Sequence, residues 1–216
     1  MQIWLDTTDL PTLEKALRRG ILHGVTTNPS MLVSNPRDTL KTLLAAQPGP
    51  VAVEVFEDLV PSMVSQGKAL YAFSPRIVVK VPVTERGIEA IHCLSKEQIP
   101  VMASAIVQPT QALVAVLAGA GWVAPYFSRI MKAGDNPLSQ LEAVKKIISS
   151  YQMRARILAV NPKTVEQIKS CAEIGIDAIT IREDVLRDLI ETHELTAQAV
   201  EQYADDWKKI QAQPWF

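Results

Sequence analysis

The sequence predicts an α/β fold in which eight parallel strands, each followed by a helix, close into a (β/α)8 barrel of the TIM type. An extra C-terminal helix follows. Three observations carry this expectation. Short apolar segments rich in β-branched residues alternate with amphipathic stretches through all 216 residues, the pattern of a parallel sheet covered by helices. No linker, low-complexity tract or strong literal repeat breaks the alternation. The turn after the first strand, Asp6-Thr7-Thr8-Asp9, holds no glycine, whereas a doubly wound open sheet usually carries a glycine-rich phosphate loop there.

In chain order, strands are expected at residues 3–6, 24–26, 51–55, 77–83, 101–105, 122–126, 157–160 and 178–181. Each is short and apolar, as buried parallel strands are. Helical patterns fall between them at 10–19, 39–46, 63–70, 87–96, 108–118, 137–149 and 164–174. Thr8-Asp9 and Thr84 stand where side chains cap the N-termini of two of these helices. Leu-Ala-Gly-Ala-Gly (117–121) and Glu-Ile-Gly-Ile-Asp (173–177) place glycine just after a last helical turn. The barrel is read as residues 1–194 of one domain spanning 1–216. A last amphipathic helix at 195–211 runs into Pro214-Trp215-Phe216. Its apolar, aromatic end has two readings, docking on a neighbouring subunit or packing across the barrel's own floor.

Composition removes several function classes. Twenty-two basic against 23 acidic residues leave a net charge of −1, so no electrostatic footprint for nucleic acid or membrane surface is expected. No apolar run approaches the roughly 20 residues of a membrane span. Met1-Gln2-Ile3-Trp4 leads straight into a strand pattern, which predicts no signal peptide and a cytoplasmic enzyme. Cys93 and Cys171 fall in helical patterns and read as small core residues rather than as metal ligands or a disulfide.

One residue breaks the apolar logic of the strands. Lys80 sits in Ile77-Val78-Val79-Lys80-Val81-Pro82-Val83. Burial disfavours the charged form of an amine, and the neutral amine is the form that attacks a carbonyl. The plainer reading is a lysine that snorkels or pairs with a carboxylate. In a barrel of this type the active site lies at the C-terminal ends of the strands. Those ends carry Asp6, then Thr26 and Asn28, Glu54, Lys80, Ser104, Tyr126 with Arg129, Asn161, and Arg182. Singly, each has a structural reading: Asp6 as a helix cap, Thr26 and Asn28 as turn residues before Pro29, Ser104 and Tyr126 as satisfied core polars, Arg129 as a surface ion pair. Glu54, inside Val-Ala-Val-Glu-Val, needs a partner in any reading. Together they form a chemical set. An amine makes an iminium with a ketone, carboxylates and hydroxyls move protons, and Asn28 holds sugar hydroxyls. Arg129, with Lys163 or Arg182, neutralises an anionic end of the substrate.

These residues also lie in longer motifs: Leu5-Asp6-Thr7, Gly24-Val25-Thr26-Thr27-Asn28-Pro29-Ser30, Val79-Lys80-Val81-Pro82-Val83-Thr84, Ala124-Pro125-Tyr126-Phe127-Ser128-Arg129 and Asp206-Trp207. In this order, over nearly the whole chain, they resemble the transaldolase family, in particular its short-chain branch with the fructose-6-phosphate aldolases. The resemblance implies a Schiff-base lysine at Lys80 and a proton-transferring Asp6. Thr26 and Asn28 would hold a dihydroxyacetone moiety, Glu54 and Ser104 a catalytic water, and Arg129 the substrate phosphate. It implies no metal or organic cofactor, sugar-phosphate substrates, and a homo-oligomer, often a decamer, with C-terminal helices packed on neighbours. Departures are visible: Ser104 stands where threonine is usual, and Ala159-Val160-Asn161-Pro162-Lys163 replaces a serine-bearing stretch. Glu54 follows the transaldolases while Tyr126 follows the aldolases. The expected reaction transfers dihydroxyacetone from fructose 6-phosphate to erythrose 4-phosphate. The alternatives are an aldolase releasing free dihydroxyacetone, an enzyme acting on sulfonated sugars, and a non-catalytic oligomeric scaffold.

Overall fold

Strand β4 (Ile77–Pro82) contains the rule from which the architecture follows. Ile77, Val79 and Val81 turn outward and join the core beneath the surrounding helices, while Val78 joins a second cluster inside the barrel. Residues alternate between faces with period two, so both faces of the strand are buried. The computed structural model, which describes residues 1–55 and 57–210, repeats this in β1 (Gln2–Asp6), β2 (Leu22–Thr26), β3 (Val51–Glu54), β5 (Val101–Ile106), β6 (Trp122–Pro125), β7 (Arg156–Val160) and β8 (Ala178–Ile181). All eight pair in parallel, in chain order, and β8 returns to β1 to close the barrel. This is the (β/α)8 fold that the alternation predicts.

The helices are α1 (Leu10–Arg18), α2 (Pro36–Ala46), α3 (Val60–Phe73), α4 (Glu85–Lys96), α5 (Pro109–Leu117), α6 (Phe127–Lys132), α7 (Pro137–Ser150), α8 (Val165–Ile174), α9 (Glu183–Ile190) and α10 (Glu194–Ile210). Asp9 caps α1 by accepting from Thr12 N at 2.8 Å and Thr84 caps α4 from Gly87 N at 3.0 Å. Gly175 closes α8 at φ 77°, the left-handed region in which glycine is least strained. Helices α2 and α3 start earlier than expected because Pro36 and Pro61 sit in their first turns, where proline's missing N–H costs no bond. Two helices were not anticipated. The six residues of α6 are too few to show a period. Helix α9 shows one, since Val185, Leu186, Leu189 and Ile190 all pack against the core.

The barrel interior is filled at its lower level by Trp4, Ala52, Val78, Met102, Ala124, Leu158 and Ala178. The Trp4 indole is fully buried and meets Trp122 edge-on at 5.5 Å between ring centroids. Gly24 makes room for it, for a Cβ there would lie 2.8 Å from Trp4 Cε3. An extra residue in β5 has a parallel effect. Ala105 takes φ 58° at a bulge against β6, which flips the alternation and sends Ile106 to the outer core instead of the barrel mouth. Cys171 is buried and Cys93 half-buried, both on helices. Among the described residues no helix is long and apolar enough to cross a membrane.

No residue of α10 is buried. It begins one residue before the expected position, and Pro214-Trp215-Phe216 lies outside the described residues.

The contact at Gly24 makes a stability prediction. Gly24→Ala forces a methyl into the Trp4 ring and should cost about 1–3 kcal/mol by overpacking, read as a fall in the urea midpoint without change in slope.

Candidate active site

Two residues beyond most interior positions, at the C-terminal ends of the strands, the inward side chain becomes polar; β7 is the exception, with Val160 after Leu158. Trp4 is followed by Asp6, Gly24 by Thr26, Ala52 by Glu54, Val78 by Lys80, Met102 by Ser104 and Ala178 by Thr180. The same period that fills the barrel floor therefore builds a polar mouth. Above the sixth strand, Ala124 is followed by Tyr126, the residue before α6.

Lys80 is 6% exposed. Its Nζ donates to the Thr27 carbonyl at 2.8 Å and stands 3.8 Å from Glu54 Oε2. Glu54 and Lys80 are direct cross-strand partners in the β3–β4 register, which is why two residues 26 apart in sequence meet. The other carboxylate oxygen of Glu54 accepts from the Ser104 hydroxyl. Ser104 is completely buried, and the Tyr126 phenol stands beside it. Burial, seconded by the Glu54 charge, pushes the Tyr126 phenol from its ordinary 10 up to about 12. It is thus a protonated donor throughout the neutral range.

In the same barrel mouth, Asp6 accepts from Thr26 Oγ1 at 3.0 Å. The capping role that Asp6 might have played falls to Asp9, and Asp6 faces the cavity. Asn28, in extended backbone at φ −145°, precedes a 3-10 turn (Pro29–Met31) without a capping side-chain bond and lines the same space.

The space is a cavity of about 350 Å³. Asp6, Glu54, Lys80 and Thr26 line one part of it; Met102, Ala124, Leu158 and Val160 form an apolar wall; Tyr126, Ser128, Arg129, Asn161, Ser30 and Thr180 complete it. The Arg129 guanidinium lies 4.9 Å from the centre of the Tyr126 ring, a cation–π stack that aims it. Asn161 takes φ 67°, a left-handed conformation that asparagine tolerates better than most residues.

Of the expected site residues, Asp6, Thr26, Asn28, Glu54, Lys80, Tyr126, Arg129 and Asn161 line the cavity. Ser104 stands behind Glu54 instead. Lys163 and Arg182 do not line it. Lys163 is exposed, with its Nζ 3.2 Å from Asn161 Oδ1. Arg182 is the exposed residue that precedes α9, because the inward position at the end of β8 belongs to Thr180. Thr180, Ser30 and Ser128 were missed. Thr180 was legible in Ala178-Ile179-Thr180-Ile181 as a polar residue two beyond Ala178. Among the described residues no group of three or more His, Cys, Asp or Glu gathers as metal ligands.

A buried lysine paired with a largely buried carboxylate at the mouth of a closed eight-stranded barrel agrees with the comparisons by sequence. Residues 3–214 match the Transaldolase/Fructose-6-phosphate aldolase family. The chain belongs to this family. It is 33% identical to a probable transaldolase of Nitrosopumilus maritimus, over 99% of this chain and 97% of that protein. It is 32% identical to probable transaldolases of Coprothermobacter proteolyticus and Aquifex aeolicus, in both cases over the full length of both chains. The protein is therefore an enzyme of the transaldolase/aldolase type.

The raised phenol makes a pH prediction. Protonated Tyr126 is favoured in the folded state, so its contribution to stability is fully present below pH 10 and is lost as pH rises through about 12. Tyr126→Phe should flatten the alkaline fall in unfolding free energy and remove one late phenolate from the ultraviolet titration. Loss of a phenolate that titrates near 10 instead would show that the phenol ionises like a free tyrosine.

Proposed function

We propose that Lys80 is the Schiff-base nucleophile of a transaldolase that moves a dihydroxyacetone unit from fructose 6-phosphate to erythrose 4-phosphate. The observation that carries this reading is the Lys80 amine, buried at the strand ends with Glu54 at 3.8 Å and Asp6 across the same cavity. In this scheme Glu54 accepts a proton from Lys80, and the neutral amine attacks the C2 ketone. The carbinolamine loses water to an iminium, with protons moved by Glu54, Ser104 and Tyr126 through a bound water. Asp6 then takes the proton of the C4 hydroxyl. The C3–C4 bond breaks, the aldose phosphate leaves as an aldehyde, and the electron pair passes to the iminium nitrogen, leaving an enamine. Addition of that enamine to the acceptor aldehyde reverses these steps, and hydrolysis frees Lys80. Thr26 and Asn28 hold the dihydroxyacetone hydroxyls. Arg129, assisted by neutral donors from Asn161 and Ser128, receives the phosphate.

A second reading has a specific observation behind it. The protonated Tyr126 phenol beside Ser104 and Glu54 is a proton source near the enamine. Protonation of the enamine by water or phenol, followed by hydrolysis, releases free dihydroxyacetone, the aldolase outcome. Product analysis with fructose 6-phosphate, with and without erythrose 4-phosphate, separates the two. Release that does not depend on the acceptor would replace the transaldolase reading.

Borohydride reduction with a ketose donor should add a three-carbon mass to the Lys80 peptide. Lys80→Met should stay folded, since an apolar side chain removes a desolvation cost, and be nearly inert. Label on another lysine would overturn the assignment. Arg129 is exposed in the free chain and gains its charge-assisted bonds on binding. Arg129→Ala should therefore lower kcat/KM for phosphorylated acceptors by about 1.5–3 kcal/mol, with little loss for unphosphorylated ones. Lys163→Ala and Arg182→Ala should leave both nearly unchanged. Equal losses for the two acceptor classes would remove Arg129 from the anion site, and a preference of the wild type for sulfonated sugars would replace the phosphate.

We also propose a homo-oligomer. Val200, Tyr203, Trp207 and Ile210 recur on α10 at three- and four-residue spacing, all exposed, and such a stripe is covered in stable assemblies. Light scattering should give a mass several times 23.8 kDa, reduced by Tyr203→Glu. A monomeric wild type would refute this.

A further inference from the structure

We infer that Thr180 is a positioning residue of the reaction: through the Thr26 hydroxyl it fixes which oxygen of the Asp6 carboxylate faces the substrate. The inference rests on the role proposed for Asp6. Strand β1 runs between β2 and β8 in the closed barrel, with Asp6 paired to Thr26 and Trp4 paired to Thr180. Closure therefore brings Thr26 and Thr180, from the first and last quarters of the chain, to the two sides of the strand that carries Asp6. Their hydroxyl oxygens are 2.7 Å apart, and Thr26 Oγ1 is 3.0 Å from Asp6 Oδ1. Both threonines are essentially buried, at 2% and 1% exposure.

A count of protons sets the direction of this chain. Each hydroxyl owns one proton, and an ionised carboxylate only accepts. The Thr26 proton is committed to Asp6 Oδ1, so Thr180 must be the donor in the threonine pair. The order is Thr180 to Thr26 to Asp6. A hydroxyl that accepts one hydrogen bond donates the next more strongly, and the bond to Oδ1 leaves Oδ2 for the substrate hydroxyl. During cleavage Oδ2 takes the C4 hydroxyl proton, and during addition it returns it. The protons of Thr26 and Thr180 stay on their own oxygens. Without the Thr180 donor, a buried lone pair of Thr26 faces a methyl group, and the Thr26 hydroxyl is no longer held in one orientation.

Kinetics of Thr180→Val, Thr180→Ala and Thr180→Ser in the full chain test this. Valine keeps the shape without the hydroxyl, and serine is alanine with the hydroxyl restored. Thr180→Val and Thr180→Ala should lower kcat by about 3- to 10-fold with KM for the ketose donor within about twofold. Borohydride trapping of dihydroxyacetone on Lys80, a step that does not use Asp6, should proceed as in wild type, and Thr180→Ser should recover most of the lost kcat. Wild-type kcat in Thr180→Val or Thr180→Ala would overturn the inference. So would equal loss in serine and alanine variants, or trapping that falls in step with turnover, for these are the marks of a merely structural threonine. If wild type itself is not trapped on Lys80, the Schiff-base reading fails first, and the inference falls with it.

Discussion

An ammonium on a strand that is buried on both faces must find acceptors inside the barrel, and the upper half of this structure is arranged around that demand. Lys80 takes one acceptor from backbone, the Thr27 carbonyl, and one from the neighbouring strand, Glu54. Glu54 is itself largely buried and cannot stand unpaired. Ser104 satisfies its other oxygen from β5, and Tyr126 meets Ser104 from the end of β6. Partners are thus recruited outward strand by strand, from the backbone after β2 to the residue after β6, each answering the unsatisfied group before it. A fully paired polar network is rigid, and rigidity here keeps Lys80 and Glu54 in one geometry.

The two carboxylates have different surroundings. Glu54 is locked between a cation and a buried hydroxyl. Asp6 borders the cavity, with one oxygen held from the side by Thr26 and without a cation beside it in the hydrogen-bond pattern. Opposite them, Met102, Ala124, Leu158 and Val160 give the cavity an apolar wall. Arg129, stacked on Tyr126, also borders the cavity.

Much of this was legible in the sequence. The fold followed from eight alternations, the caps from Asp9, Thr84 and Gly175, and the buried amine from one lysine in a run of β-branched residues. Glu54 was legible for the same reason, as a charge where the pattern demands an apolar residue. Other positions were harder to read. Lys163 and Arg182 were counted in the site because they follow strand ends closely, but beyond the last strand residue the period of two no longer tells inward from outward. Thr180 escaped notice because a threonine is ordinary in a strand, and its meaning lies in Thr26, which is 154 residues away.

Local chemistry thus determined from sequence alone which residues are too polar for their place, since the cost of burying a charge depends little on where the partner comes from. Only tertiary structure decided the partners. Register pairs Glu54 with Lys80, a bulge at Ala105 turns Ile106 out of the mouth, and closure of β8 onto β1 sets Thr180 against Thr26. These depend on the stagger between strands and on closure of the sheet into a ring, quantities that belong to all eight strands together and to no single segment of the chain.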